Sequence, residues 1–403
     1  MSIAHHSGAL AINGQAWLWG QGTVGQLGTN DVINASSPVS VIGDHSWIMI
    51  TVGQYHTIAL KQNGECWAFG QNDIGGLGDN STTNRSSPVQ VVGNHSFICC
   101  TAGSRFSGGL KSDGSAWMWG INTYGQIGNN TLTSYSSPVQ VVGNHNFVRM
   151  SSGYSYTLAI KENGQMWGWG YNTEFNLGDN TGDSKSSPVQ VVGNHSFIRF
   201  ISGQNHALAL KENGEVWSWG RNVYGALGDN TTTDRSSPVQ VVGNHSFLKI
   251  AASGGGSGSS SFGLKEDGSL WAWGDNTVGK LGTNNVTSYS SPVQVVGNHS
   301  FIDVFSEQNF TAALKSDGSM WSWGTNSDGE LGDNTVTNRS SPVQVIGGFS
   351  FLVQRFGLHG LNFINTSGSW MKKPIAWINV AGTWRRVLYG YVNVGGVWKN
   401  WII

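Results

Sequence analysis

Apolar and polar positions follow one fixed order along most of the chain, and residues 197–242 show it plainly. FIRFISG is an apolar run rich in β-branched and aromatic residues, the pattern of a strand buried on both faces. ALALKENG alternates and ends in a turn, and EVWSWG is a third strand. The long polar loop RNVYGALGDNTTTDRSS follows, and PVQVV makes a fourth strand whose opening proline is tolerated at a sheet edge.

This unit repeats. The motif W-x-[WF]-G begins at Trp17, Trp67, Trp117, Trp167, Trp217, Trp271 and Trp321, with steps of 50, 50, 50, 50, 54 and 50 residues. The one long step reflects four extra residues in the run SGGGSGSSS at 253–261. Four strands per module, repeated radially, predict the blades of a propeller; a β-helix needs shorter coils without such loops. The fold class is therefore all-β, a seven-bladed β-propeller followed by a small β-hairpin tail. Segments fit for the first strand of a blade occur at 47–52, 97–102, 147–152, 197–202, 247–252, 301–305 and 351–356, whereas the other three strands begin near residue 5. The ring is thus expected to close with the C-terminal inner strand 351–356 completing the first blade, which removes an open edge. Either 5–13 or 358–366 fits the second strand of that blade. The expected division is a propeller over 1–357, a linker or partial repeat over 358–371, and a tandem hairpin tail over 372–403.

Composition agrees with many short strands joined by tight turns: 58 glycines, 19 tryptophans and only 11% charged residues in 403. The net charge of −1 gives no broad attraction to nucleic acid or to an anionic membrane. Residues 371–403 hold five basic residues and no acid, leaving 17 basic against 23 acidic elsewhere. Three cysteines, Cys66, Cys99 and Cys100, two of them adjacent, suit buried thiols better than a disulfide framework. The N-terminal residues lack the basic-then-apolar pattern of a secretion signal, and no stretch reaches the ~18 apolar residues of a membrane span. A G-x-S-x-G, H-E-x-x-H or P-loop motif is missing, as is a G-x-G-x-x-G that opens a helix, so neither a catalytic residue, a cofactor nor a metal is expected.

Comparing the copies separates scaffold from surface. Where Asp follows L-G, the residue six further on is basic: Asp79 and Arg85, Asp179 and Lys185, Asp229 and Arg235, Asp333 and Arg339. Where it is not acidic the partner is not basic, as in Asn129 with Tyr135, so an ion pair bracing the loop is expected. Histidines recur at His45, His95, His145, His195, His245 and His299 and are read as turn caps, because equivalent positions on different blades point outward and cannot converge on one metal. Variation gathers in two loop sets that strand alternation places at one end. These loops carry Tyr55, Arg105, Phe106, Tyr124, Tyr154, Tyr156, Tyr171, Phe175, Arg221, Tyr224, Asn309 and Phe310, residue types enriched in binding hot spots. They form the candidate partner-binding face.

The unit G-x-x-H-[ST]-x-A-L-K-x-[ND]-G-x-x-W-x-W-G-x-N-x-x-G-x-L-G-D-N, seen best at 53–91, resembles the regulator of chromosome condensation repeat, and the resemblance covers residues 1–357. It implies a seven-bladed propeller closed by strands from both termini. The family includes a nucleotide-exchange factor for a small GTPase and bacterial secreted propellers, one of which inhibits β-lactamases through loops on one face. The wedge-like insertion and the basic nucleosome-binding segment of the exchange factor are missing here, so function must come from the surface.

In the tail, INVAGTWR at 378–385 matches VNVGGVWK at 392–399, each reading as a hairpin. Trp377, Trp384, Trp398 and Trp401 call for docking, because so short a piece buries little surface alone. These paired hairpins are similar to C-terminal modules of tailed-phage structural and fibre proteins. That similarity implies a non-enzymatic virion component, made in the host cytoplasm and placed in a fibre, tail or capsid-surface position. Its propeller would contact virion proteins or a host surface receptor, and its tail would anchor or form a homo-oligomer. The alternative is a bacterial extracellular or cytoplasmic binding or inhibitor propeller, with a glycan-active enzyme further behind.

Overall fold

The computed structural model describes residues 6–10, 14–43, 45–253, 258–327 and 330–346, together with strand backbones between 364 and 402. The chain divides into two compact units, Met1–Leu358 and His359–Ile403.

The first unit is the seven-bladed propeller. Blades 2 to 7 span 47–90, 99–140, 147–190, 199–240, 249–294 and 301–344, each a four-stranded antiparallel sheet in sequential order. Blade 1 holds His6–Leu10, Ala16–Gly20 and Ala35–Ser40 as a three-stranded sheet. The N-terminal segment therefore takes the second-strand position of blade 1, pairing His6 with Gly20 and Leu10 with Ala16. The expected closing strand, 351–356, lies outside the described residues.

Blade 5 illustrates how the residues make the element. Its strands are Arg199–Ser202, His206–Leu210, Val216–Gly220 and Arg235–Gln240. Both faces of the second strand, HALAL, are buried because the sheet is sandwiched between two neighbours, which explains its nearly continuous apolar run. The outer strand, RSSPVQ, is only half-buried, and its proline sits at the sheet edge where no partner strand needs its nitrogen. A register shift between Ser218 and Gly220 bends the third strand away from the fourth. Gly220 adopts φ 102°, and a Cβ there would lie 2.5 Å from the Asn205 carbonyl, so only glycine fits.

Cohesion lies between blades. The first strands of successive blades touch around the centre. One apolar cluster fills each junction from blade 1–2 to blade 6–7, for example Leu158, Leu177 and Val191 of blade 4 against Phe200, Ala209 and Trp219 of blade 5. In blades 3 to 7 the second tryptophan is fully buried there and donates its indole N–H to the preceding blade: Trp119 to the Gly76 carbonyl at 3.0 Å, Trp219 to Asn176 at 2.9 Å, Trp323 to Lys280 at 2.8 Å. In blades 2 to 7 the first tryptophan lies under the recurrent histidine and a lysine. Trp217 has its centroid 4.1 Å from that of His195 and 4.4 Å from the Lys211 ammonium. The histidines are thus members of aromatic and cation–π stacks, not the turn caps expected from sequence.

Among the described residues of the second unit there are three hairpins: Ile364–Thr366 with Ser369–Met371, Trp377–Val380 with Thr383–Arg386, and Tyr389–Val394 with Val397–Ile402. The first falls within the stretch read from sequence as a linker. In the other two, Trp384 stands opposite Asn379 and Trp398 opposite Asn393, so the sequence repeat is also a repeat of register.

Candidate functional site

The loops after the first and third strands share one end of the propeller. The backbone N–H of Arg221, opening the long loop of blade 5, donates to the Asn205 carbonyl of the shorter loop at 2.8 Å. In blades 2 to 7 the long loop is built around a buried asparagine amide. Asn222 Oδ1 accepts from the Leu227 N–H at 2.9 Å, and its Nδ2 lies 3.1 Å from Asp229 Oδ1 and 3.0 Å from the Thr233 carbonyl. Asn72, Asn122, Asn172, Asn276 and Asn326 do the same in their own blades.

The expected ion pairs are present: Asp79 to Arg85 at 2.9 Å, Asp179 to Lys185 at 3.7 Å, Asp229 to Arg235 at 2.7 Å and Asp333 to Arg339 at 2.9 Å. Burial alone would raise the Asp229 carboxyl, but hydrogen bonds from Thr231, Arg235 and Asn222 outweigh it and hold the pKa below the usual value. These carboxylates brace the loop. The loop is then tied to the next blade, as the Asn230 N–H donates to the Ser290 carbonyl at 2.8 Å.

On this frame stand the variable residues. Tyr124 is exposed and meets Tyr171 edge-on, with centroids 5.0 Å apart. Arg221 Nε lies 3.8 Å from a Glu174 carboxylate oxygen, which joins blades 4 and 5 at the surface. Arg105 pairs with Asp73 across blades 2 and 3. Tyr55, Tyr154, Tyr224 and Phe310 are half-buried, and Asn309 is exposed.

Phe175 breaks a rule of the repeat. It occupies the place of Gly25, Gly75, Gly125, Gly225 and Gly279, all of positive φ, and itself adopts φ 61°. That conformation is strained for a bulky residue. Its ring lies over Gly182, where a Cβ would come within 3.3 Å. The structure therefore gathers Tyr124, Tyr171, Phe175, Arg221 and Tyr224 on the loops of blades 3 to 5.

Two expected surface residues belong elsewhere. Phe106 and Tyr156 are fully buried, and the Tyr156 hydroxyl lies 2.8 Å from the His206 carbonyl and 3.0 Å from that of Gly203. Each opens the second strand of its blade and points into a junction, so neither contacts a partner. The same repeat position holds His6, His56 and His206, whose Nε2 atoms hydrogen-bond the hydroxyls of Thr57, Ser107 and Ser261 in the next blade at 2.7, 2.8 and 2.9 Å. Burial drives the His56 pKa down to about 4 and that of His206 to about 3. This latch was missed from sequence. Each histidine faces a hydroxyl one position on in the next blade, but so does Phe106, which faces Thr157, so the pattern alone does not mark it.

The side chains of Trp377, Trp384, Trp398 and Trp401 lie outside the described residues. Among the described residues, no group of three or more His, Cys, Asp or Glu side chains is placed to hold a metal ion, and no helix is long and apolar enough to cross a membrane.

Seven radial sheets built on a fifty-residue W-x-W-G module define a repeat-built β-propeller that displays loops at one end. The chain belongs to the RCC1-like domain family, whose model matches residues 101–362; models of the regulator of chromosome condensation (RCC1) repeat match 13–60 and 49–75. Among solved structures it is similar to Prp20p from Saccharomyces cerevisiae, with 20% identity and TM-score 0.72 over 85% of this chain and 88% of that one. The yeast RCC1 (Prp20) in complex with Kap60 gives 19% identity and TM-score 0.70 over 86% of both chains. Human WBSCR16 gives 18% identity and TM-score 0.72 over 83% of this chain and 94% of that one. These likenesses establish the fold. No curated protein matches the sequence.

Proposed function

We propose that the chain is a non-enzymatic binding protein that engages a protein partner through the loops of blades 3 to 5. The carrying observation is that departures from the repeat converge there: the exposed Tyr124–Tyr171 pair, the strained Phe175 and the Glu174–Arg221 bridge, all on loops whose frame is otherwise constant. Rigid aromatic side chains flanked by arginine are the chemistry of interface hot spots. A protein partner is also in keeping with what is reported for the similar yeast structures: Prp20p binds Gsp1p and histones, and yeast RCC1 binds Kap60. Within this reading we place the chain on a bacteriophage virion, in the fibre, tail or capsid surface, with the tail attached to the particle and the propeller facing a host or virion protein, on the sequence repeat INVAGTWR and VNVGGVWK alone.

The test is photo-crosslinking in producing cells. A photoreactive phenylalanine analogue replaces Tyr124 in one version and Asp113, exposed in the turn between the second and third strands at the opposite end, in another. The expected result is a discrete adduct from position 124 alone, identified by mass spectrometry as a virion or host-surface protein. Equal adducts from both positions, or adducts only from position 113, would overturn the proposal.

A further inference from the structure

Between blades 5 and 6 the loop end contains a solvent-open notch lined by Gln204, Asn205, Arg221, Tyr224, Ala226 and Ser259. It encloses only ≈ 10 Å³, about the space of one water molecule, and is otherwise open to solvent, so it can receive the polar end of one side chain and not a small molecule.

The other repeats report what such a slot holds. Blade 6 carries Asp275 and Lys280 at the repeat positions of Arg221 and Ala226. There the Lys280 ammonium lies 2.7 Å from the Asp275 carboxylate and donates to the Gly258 and Gln308 carbonyls at 3.0 and 3.2 Å, with both side chains almost fully buried. Blades 1, 3 and 4 fill the same slot with the buried side chains of Gln26, Gln126 and Asn176. Blade 2 leaves it short at Gly76 but carries the neutral Gln71 at the repeat position of Arg221. Blade 5 alone combines a short residue with a cation. Arg221 has one ion-pair contact, at 3.8 Å to Glu174, and is 38% exposed. Around it the Tyr224 and Ser259 hydroxyls and the Gln204 and Asn205 amides can donate hydrogen bonds, and the Gly258 carbonyl on this side is already engaged by Lys280.

We propose that this opening is a subsite for one carboxylate side chain, an aspartate or glutamate of the protein partner. The carboxylate enters where blade 6 keeps Lys280 and pairs with Arg221, the internal ion pair of blade 6 with its charges exchanged. Guanidinium and carboxylate match in a planar, two-bonded geometry, and four neutral donors complete the acceptor's lone pairs. The inference rests on the loop end being the binding face.

The experiment titrates the full-length, 15N-labelled chain with N-acetyl-L-glutamate and follows the Asn205 side-chain amide and Arg221 Nε–H resonances. N-acetyl-L-glutamine and N-acetyl-L-lysine serve as controls. Two variants borrow residues that other blades already hold at these positions: Ala226→Gln fills the slot, and Arg221→Gln removes the cation. Saturable shifts with the glutamate probe alone are expected, weakened about tenfold or more in each variant at an unchanged melting temperature. The proposal is overturned by equal shifts with the glutamine probe, by no shift with glutamate, or by unweakened binding in Ala226→Gln. Crosslinking at position 124 together with silence here would remove the subsite and leave the binding face standing.

Discussion

His56 and His206 are held neutral by burial, with pKa values of about 4 and about 3 against 6.5 for the free side chain. Because the unfolded chain takes up these protons first, acidification from pH 6.5 toward those values favours unfolding. The contribution of each histidine is complete above pH 6.5 and is lost as the pH falls, by up to about 1.4 kcal/mol per pH unit. His206→Phe, which copies Phe106 of blade 3, should flatten the fall in melting temperature between pH 6.5 and 4 while leaving the Ser261 hydroxyl bonded to the Ala226 carbonyl at 2.8 Å. A variant as acid-sensitive as the parent would contradict this. At this scale the sequence was readable where two positions change together within one module. The Asp229–Arg235 pair was found that way. Phe106 and Tyr156 were misplaced because their partners lie in the next blade, where a fifty-residue comparison aligns them with equivalents and not with contacts.

The long loop is the element on which function depends, and its brace can be taken apart. Arg235→Tyr alone leaves the Asp229 carboxylate, 6% exposed, without its cation, whereas Asp229→Asn with Arg235→Tyr reproduces the Asn129–Tyr135 arrangement of blade 3. The double variant should be more stable than the single one by about 1 kcal/mol or more, because the carboxylate left behind is the costly part. Denaturant unfolding measures it, and strict additivity would refute the brace. Phe175 tests the opposite relation between an element and its task. Phe175→Gly restores the residue of all six other blades at φ 61° and should stabilise the chain by up to about 1 kcal/mol while weakening partner capture. If it destabilised the fold by more than that, the ring would be serving packing and not recognition. Loop ends and frame residues were evident from the repeat. The strain was not, since its sign is a dihedral angle, although an unmatched phenylalanine in a glycine column marks the place.

For the whole molecule, stability is a sum of junctions in which each blade lends an indole, a hydroxyl or a histidine to its neighbour. Propeller architecture, blade number and the order of strands followed from the spacing of seven W-x-[WF]-G motifs, because a module that cannot bury its own faces must stack. The junction bonds did not follow, since they join residues about fifty positions apart. Blade 1 has three strands among the described residues, and the sequence assigns its fourth to 351–356. Two truncations test that ring most directly by calorimetry: a chain ending at Met371, which keeps the closing segment and drops the last two hairpins, and one ending at Ile346, which drops both. A closed ring predicts that the first melts as cooperatively as the intact propeller and that the second melts lower and over a broader range. Identical transitions for the two would contradict it.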